Sequence, residues 1–165
     1  MATGGGTMTD NFGYARRVLV ALAIVSGAFV ANAAHAESVS ATLTKWGLIG
    51  EWAVDCKVAP GDGLASRQKY VAQQDGSAFL DRNFGDLRDH NRITTASLTK
   101  DGWLEIKVIY KNLEKDQANR ILVYRKLSDR TLRAMSNQTA SGQYSIKDGK
   151  FTANGKEAPI QHRCN

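Results

Sequence analysis

The side chains able to do chemistry are few. Cys56 and Cys164, His90 and His162 beyond residue 36, and a scatter of carboxylates make up most of the list. Two isolated histidines with no Cys or carboxylate at ligand spacing do not make a metal site. His90 is expected at the surface, in the polar loop run Arg88-Asp89-His90-Asn91-Arg92, and His162 is expected to be packed. No Gly-x-Ser-x-Gly elbow and no Walker-type loop is present. A pair of carboxylates could serve glycosidase chemistry, but no spacing selects one. Asp86-Leu87-Arg88-Asp89-His90 brings acid and base together in the manner of an ordinary polar loop. No catalytic, cofactor-binding or metal-binding residue is therefore assigned.

Tyr110, Arg125, Met135 and Tyr144 are harder to read as plain surface. Arg125 shares strand parity with Ile121, Val123 and Leu127. If that face is interior, its charge must be paired or must meet an anionic ligand. With the opposite parity, Leu122 and Tyr124 point inward and Arg125 meets solvent. Both registers stay open at this level.

The first 36 residues set the compartment. Arg16 and Arg17 precede an apolar run over residues 18–31, and Ala34-His35-Ala36 forms a small-x-small cleavage site before Glu37. That is the order of a secretory signal peptide. The run is shorter than the roughly 20 apolar residues of a membrane span. Mature protein is expected to begin near Glu37, to lack a transmembrane span, and to be periplasmic or secreted. Met8 is a second candidate start. Of 165 residues, 36 belong to the signal and 129 remain as one domain, 37–165. The net charge is +6; Arg16, Arg17 and Asp10 together carry +1, which leaves the mature part at +5. This balance favours weak attraction to anionic surfaces and serves solubility equally. The basic residues are dispersed from Lys45 to Arg163, without the block that marks a nucleic-acid footprint.

Two cysteines in an oxidising compartment read as a disulfide. The bridge closes more than 100 residues, for which chain entropy gives about 4–5 kcal/mol.

Short alternating segments separated by polar turns fill the mature chain. Residues 48–56 alternate Trp52, Val54 and Cys56 against Glu51, Ala53 and Asp55. Residues 67–74 and 78–84 flank Asp75-Gly76, a hairpin-grade turn. Residues 92–99 lead through Asp101-Gly102 to the clearest strand, where Leu104, Ile106, Val108 and Tyr110 share a face. Residues 112–119 read as a charged loop, and 38–47 as room for one helical turn. Residues 120–127 and 131–137 pair across Ser128-Asp129-Arg130; 143–147 and 150–153 pair across Asp148-Gly149. The expected fold is all-β, a single antiparallel meander of eight or nine strands closed into a barrel with one disulfide. Closure removes exposed edges. It also brings first and last strands together, with Cys56 and Cys164 expected on one apolar face.

Leu48-Ile49-Gly50-Glu51-Trp52 resembles the opening of lipocalin-like barrels. That resemblance implies that Gly50 and Trp52 are structural signature residues, that Trp52 plugs the closed end, and that Arg163 or Arg125 packs over it. The C-terminal third, with Ser141-Gly142-Gln143-Tyr144, Gly149-Lys150-Phe151 and a terminal Cys164, resembles the small periplasmic inhibitors of C-type lysozyme. Its Ser-Gly to Tyr spacing is one residue shorter than theirs, and a basic chain would be repelled by basic lysozymes. Trp52-Ala53-Val54-Asp55-Cys56 and Arg163-Cys164 resemble a set of uncharacterised small secreted proteins of Gram-negative bacteria, which implies no activity.

The expectation is a non-catalytic extracytoplasmic β-barrel that binds a small molecule or a protein partner, needs no cofactor, and uses Arg125, Tyr110, Ser141, Gly142 and Tyr144 as candidate contacts. The alternatives are an inhibitor of a lysozyme-type hydrolase and an enzyme of unassigned reaction. An interior cavity of several hundred Å³ would favour the first.

Overall fold

The computed structural model describes residues 37–63 and 65–164. The signal-peptide segment and Met8 lie outside the described residues. Strands β1 (Gly50–Ala53), β2 (Arg67–Ala72), β3 (Ala78–Asn83), β4 (Arg88–Leu98), β5 (Leu104–Ile109), β6 (Asn119–Ser128) and β7 (Thr131–Thr139) pair consecutively and antiparallel. β8 (Tyr144–Lys147) and β9 (Lys150–Phe151) follow as a hairpin. β10 (Ile160–Cys164) then pairs with both β7 and β1, which closes eight strands into a barrel and leaves β8 and β9 outside the ring.

One end is plugged by α1 (Val39–Trp46). The Ser38 hydroxyl accepts from the Ala41 N–H, and Gly47 donates to the Leu43 and Thr44 carbonyls. Both ends are thus capped, and the segment forms two turns rather than the single turn expected. Leu43, Trp46 and the following Leu48 enter the core. Trp46 Nε1 donates to the Gly102 carbonyl in the β4–β5 hairpin, 3.1 Å away. Full burial of a leucine such as Leu43 or Leu48 is worth about 1.5–3 kcal/mol. A second short helix, α2 (Lys115–Ala118), occupies part of the expected loop 112–119.

The barrel is filled by alternate residues: Tyr70 from β2, Ala78 and Leu80 from β3, Ile93 from β4, Leu104, Ile106 and Val108 from β5, Leu122 and Tyr124 from β6, and Leu132 from β7. Leu122 and Tyr124 point inward, so Arg125 lies on the outer face and is exposed. The reading in which Arg125 brings a charge into the barrel is thereby corrected.

Four further expectations are revised. β1 ends at Ala53, and Val54 is 53% exposed rather than inward. The disulfide between Cys56 and Cys164 is present, but not through a shared apolar face. Cys164 pairs with Glu51 while Trp52 pairs with Arg163, so Cys164 is on the face opposite Trp52, and Cys56 reaches it from a turn after the strand. Residues 88–92 are strand, not loop. Asp89, Asn91 and Ile93 point inward there, and polar residues at inward positions conceal the alternation. His162 is exposed rather than packed.

Candidate functional site

Arg82 follows Ala78 and Leu80 on the inward face of β3, and Asp89 and Asn91 hold the matching places on β4. Arg82 Nε donates to Asp89 Oδ1 at 3.0 Å, and Nη2 donates to Oδ2. Asn91 Nδ2 donates to Asp89 Oδ1 and to the Leu80 carbonyl, while its Oδ1 accepts from the Lys111 N–H at 3.0 Å. The Arg82 guanidinium carbon lies 3.9 Å from the centre of the Tyr110 ring, a cation–π contact. Behind it the Tyr70 and Tyr124 hydroxyls are 2.9 Å apart, with their rings edge to face. Tyr70 Oη also donates to Gln68 Oε1 at 3.1 Å.

Burial opposes the Asp89 charge, but hydrogen bonds from Arg82 and Asn91 outweigh it and hold the carboxyl below its usual range. Burial pushes the Tyr70 hydroxyl well above its ordinary value, helped by neighbouring Tyr124. Burial likewise raises Tyr124 and Tyr110. The network therefore contains neutral tyrosines and one mutually neutralising ion pair. Arg82, Asp89, Asn91, Tyr70 and Tyr124 are hydrogen-bonded within the network or to the backbone around it, which favours rigidity over acid–base exchange.

The opening lies beside this network, and the short strands create it. β10 pairs with β7 at residues 131–133, and β8 takes over at 137–138, with a register shift between those two residues. Where β7 changes partner, the wall is covered by β8, β9 and residues 54–58 and 65–66 instead of by a full-length strand. The resulting cleft has a volume of about 600 Å³. Val54, Val58, Ala134, Ile146, Phe151 and Ala158 give it an apolar lining, and Gln68, Gln161, Ser66 and Asp55 supply its polar groups. No family model, no curated protein and no solved structure matches the chain. The geometry of the molecule itself therefore carries the functional reading.

The cover is fastened at several points. A side chain at Gly61 would put its Cβ 3.0 Å from the Gly85 Cα, and one at Gly85 would come within 2.9 Å of the Gly61 Cα. Both backbones have φ above +90°, so only glycine allows this approach. Arg67 Nη2 donates to the carbonyls of Cys56 and Val58, and Nη1 donates to Glu51 Oε1 at 3.0 Å. The Cys56 bridge to Cys164 ties the same segment to β10.

A second, wider cleft of about 770 Å³ lies along β1 to β4, lined by outward residues of these strands and by the Arg82–Asp89 pair. Glu51, Lys69, Asp81 and His90 stand in register across it. His90 Nδ1 is 2.5 Å from Asp81 Oδ1, and its ring stacks on Phe79. Its charges are of both signs, and two of its cationic groups, Arg67 and Arg82, are already paired.

The candidate residues named from sequence do not converge. Tyr110 belongs to the buried network. Arg125 sits outside, its guanidinium carbon 5.9 Å from the Trp103 ring centre. Ser141 and Gly142 form the exposed turn between β7 and β8, with Ser141 Oγ 2.8 Å from Thr139 Oγ1. Tyr144 is exposed beside Lys147 and, with Met135, borders a separate cleft of about 520 Å³. Trp52 is buried and donates from Nε1 to the Leu48 carbonyl at 2.7 Å. The Arg163 guanidinium carbon is 5.8 Å from the Trp52 ring centre, and its Nη2 donates to the Ile49 carbonyl. Gly50, Trp52 and Arg163 thus meet where α1 enters the barrel.

Sequence reasoning missed Arg82, Asp89, Asn91, Gln68 and Gln161. Parity from Ala78 and Leu80 points to Arg82 as inward. Nothing in the local sequence marks the two glutamines, because their common cleft depends on how β7 divides its partners. Among the described residues, no three His, Cys, Asp or Glu side chains are gathered to hold a metal ion. No helix there is long and apolar enough to cross a membrane.

Proposed function

We propose that this chain is a non-catalytic, extracytoplasmic β-barrel that binds a small amphipathic molecule in the cleft between β2, β7 and the β8–β9 hairpin. The observation that carries this reading is the cleft itself, about 600 Å³ of largely apolar space with a few polar groups, the usual composition of a small-molecule site. The mutual pairing of Arg82 with Asp89 supports a structural rather than a catalytic role for that pair. The disulfide and the signal-like first 36 residues support export. Intact mass of exported protein should place its first residue at or near Glu37.

Nile red, an apolar dye without hydrogen-bond donors, tests the cleft. Wild-type protein should bind it saturably with one site. Ser66→Trp, which fills the cleft from its rim, should abolish binding while the unfolding midpoint stays near wild type. A wild-type protein that never enhances the dye's fluorescence rejects the proposal.

A second reading, inhibition of a lysozyme-type hydrolase, is favoured by the exposed turn 140–145 that carries Ser141, Gly142 and Tyr144. Stoichiometric loss of lysozyme activity on mixing, relieved by Tyr144→Ala, would select it.

A further inference from the structure

Gln161 is on the inward face of β10, because it shares parity with Arg163, the partner of Trp52. It lines the cleft, and its Oε1 is buried without a hydrogen-bond partner. A buried amide oxygen left unpaired is costly, of the order of 1–3 kcal/mol, and most such atoms in proteins find a partner. An amide oxygen can only accept. The second glutamine of the cleft, Gln68, already receives the Tyr70 hydroxyl on its Oε1, so it cannot be turned to satisfy Gln161 without breaking that bond.

The charge around the cleft is equally specific. The chain carries +6 overall, yet no Lys or Arg lines this cleft, and its one charged lining residue is Asp55. An anionic head group would meet a carboxylate and a lone acceptor oxygen with no cation to offset them, an arrangement that discriminates by repulsion.

We infer that the ligand is an amphiphile whose head group donates a hydrogen bond to Gln161 Oε1 and carries no negative charge, with its apolar tail against Ile146 and Phe151. This inference rests on the proposed binding function and names the ligand class for the same cleft.

Three ten-carbon probes with one tail and different heads test it by displacement of Nile red: 1-decanol, decylamine and decanoate, all below their aggregation limits. Decanol and decylamine should each displace the dye at concentrations at least tenfold lower than decanoate. Gln161→Leu should weaken decanol and decylamine about three- to tenfold relative to Nile red measured on the same variant, the worth of one hydrogen bond. Decanoate competing within threefold of decanol overturns the inference, and so does a Gln161→Leu variant that loses dye and decanol alike. Failure of wild-type protein to bind Nile red is a different result, and it removes the binding function itself.

Discussion

At Trp52 a single side chain links three elements. Its ring is 2% exposed, its Nε1 is satisfied by the Leu48 carbonyl, and Arg163 from the last strand lies over it. Gly50 makes room for that arginine: a Cβ there would stand 3.1 Å from Arg163 Nη2, at a backbone φ of +132°. Trp52→Ala should cost about 3–5 kcal/mol, the range for large aromatic deletions in cores. Denaturant unfolding measures it, and the shift should come without loss of Nile red binding, because the cleft does not include Trp52. A midpoint unchanged from wild type would mean that Trp52 does not anchor the barrel's plugged end. Val54 shows how local this arrangement is. Two residues from Trp52 and of the same parity, it is exposed because the strand has already ended.

At the scale of elements, β2, β3, β4 and β6 share a polar layer with Tyr110, just past the end of β5, and its protonation states set opposite ends of a stability profile. Tyr70 and Tyr124 have hydroxyl pKa values raised by burial, so above the usual value near 10 the unfolded chain releases protons that the folded chain retains. Their contribution is complete below pH 10 and is lost as pH rises beyond it. Asp89 is held below its usual range. Its contribution is therefore complete above the unfolded value near 4 and is lost as pH falls through the lower folded value. Unfolding midpoints measured from pH 2 to 11 should fall at both ends. Tyr70→Phe combined with Tyr124→Phe should flatten the alkaline fall and leave the acid one. An alkaline slope unchanged in the double variant would place its origin elsewhere.

For the whole molecule, the decisive arrangement is the way the first and last strands of the barrel are joined. β10 inserts between β7 and β1, and the disulfide spans 108 residues to hold the segment after β1 against it. That segment supplies Val54, Asp55 and Val58 to the cleft. Replacing both Cys56 and Cys164 by Ser should lower stability by about 2–5 kcal/mol, as for other native bridges in small secreted domains. It should also weaken Nile red binding, since the cover then loses its covalent tie to β10 and keeps the Arg67 hydrogen bonds and the Gly61 contact with Gly85. Guanidinium unfolding and dye titration read the two effects separately. A double variant as stable as wild type would show that the bridge adds nothing to barrel closure.

Much of this architecture follows from local physical chemistry. Turns at Asp75-Gly76, Asp101-Gly102 and Asp148-Gly149 demand glycine's positive φ. The alternation in residues 104–110 makes one face apolar whatever the surroundings, and a pair of cysteines reads as one bridge. These features were legible because each depends on neighbours within a few residues. The rest belongs to the tertiary structure. Whether Arg125 faces in or out turns on a parity that only the packed core selects, and Tyr124 takes the inward place because it meets Tyr70 there. Asp89 and Asn91 read as loop residues until Arg82 and the Leu80 carbonyl arrive from the next strand. The cleft exists because β7 divides its hydrogen bonds between β10 and β8, a choice settled by strands far apart in sequence that local periodicity cannot register.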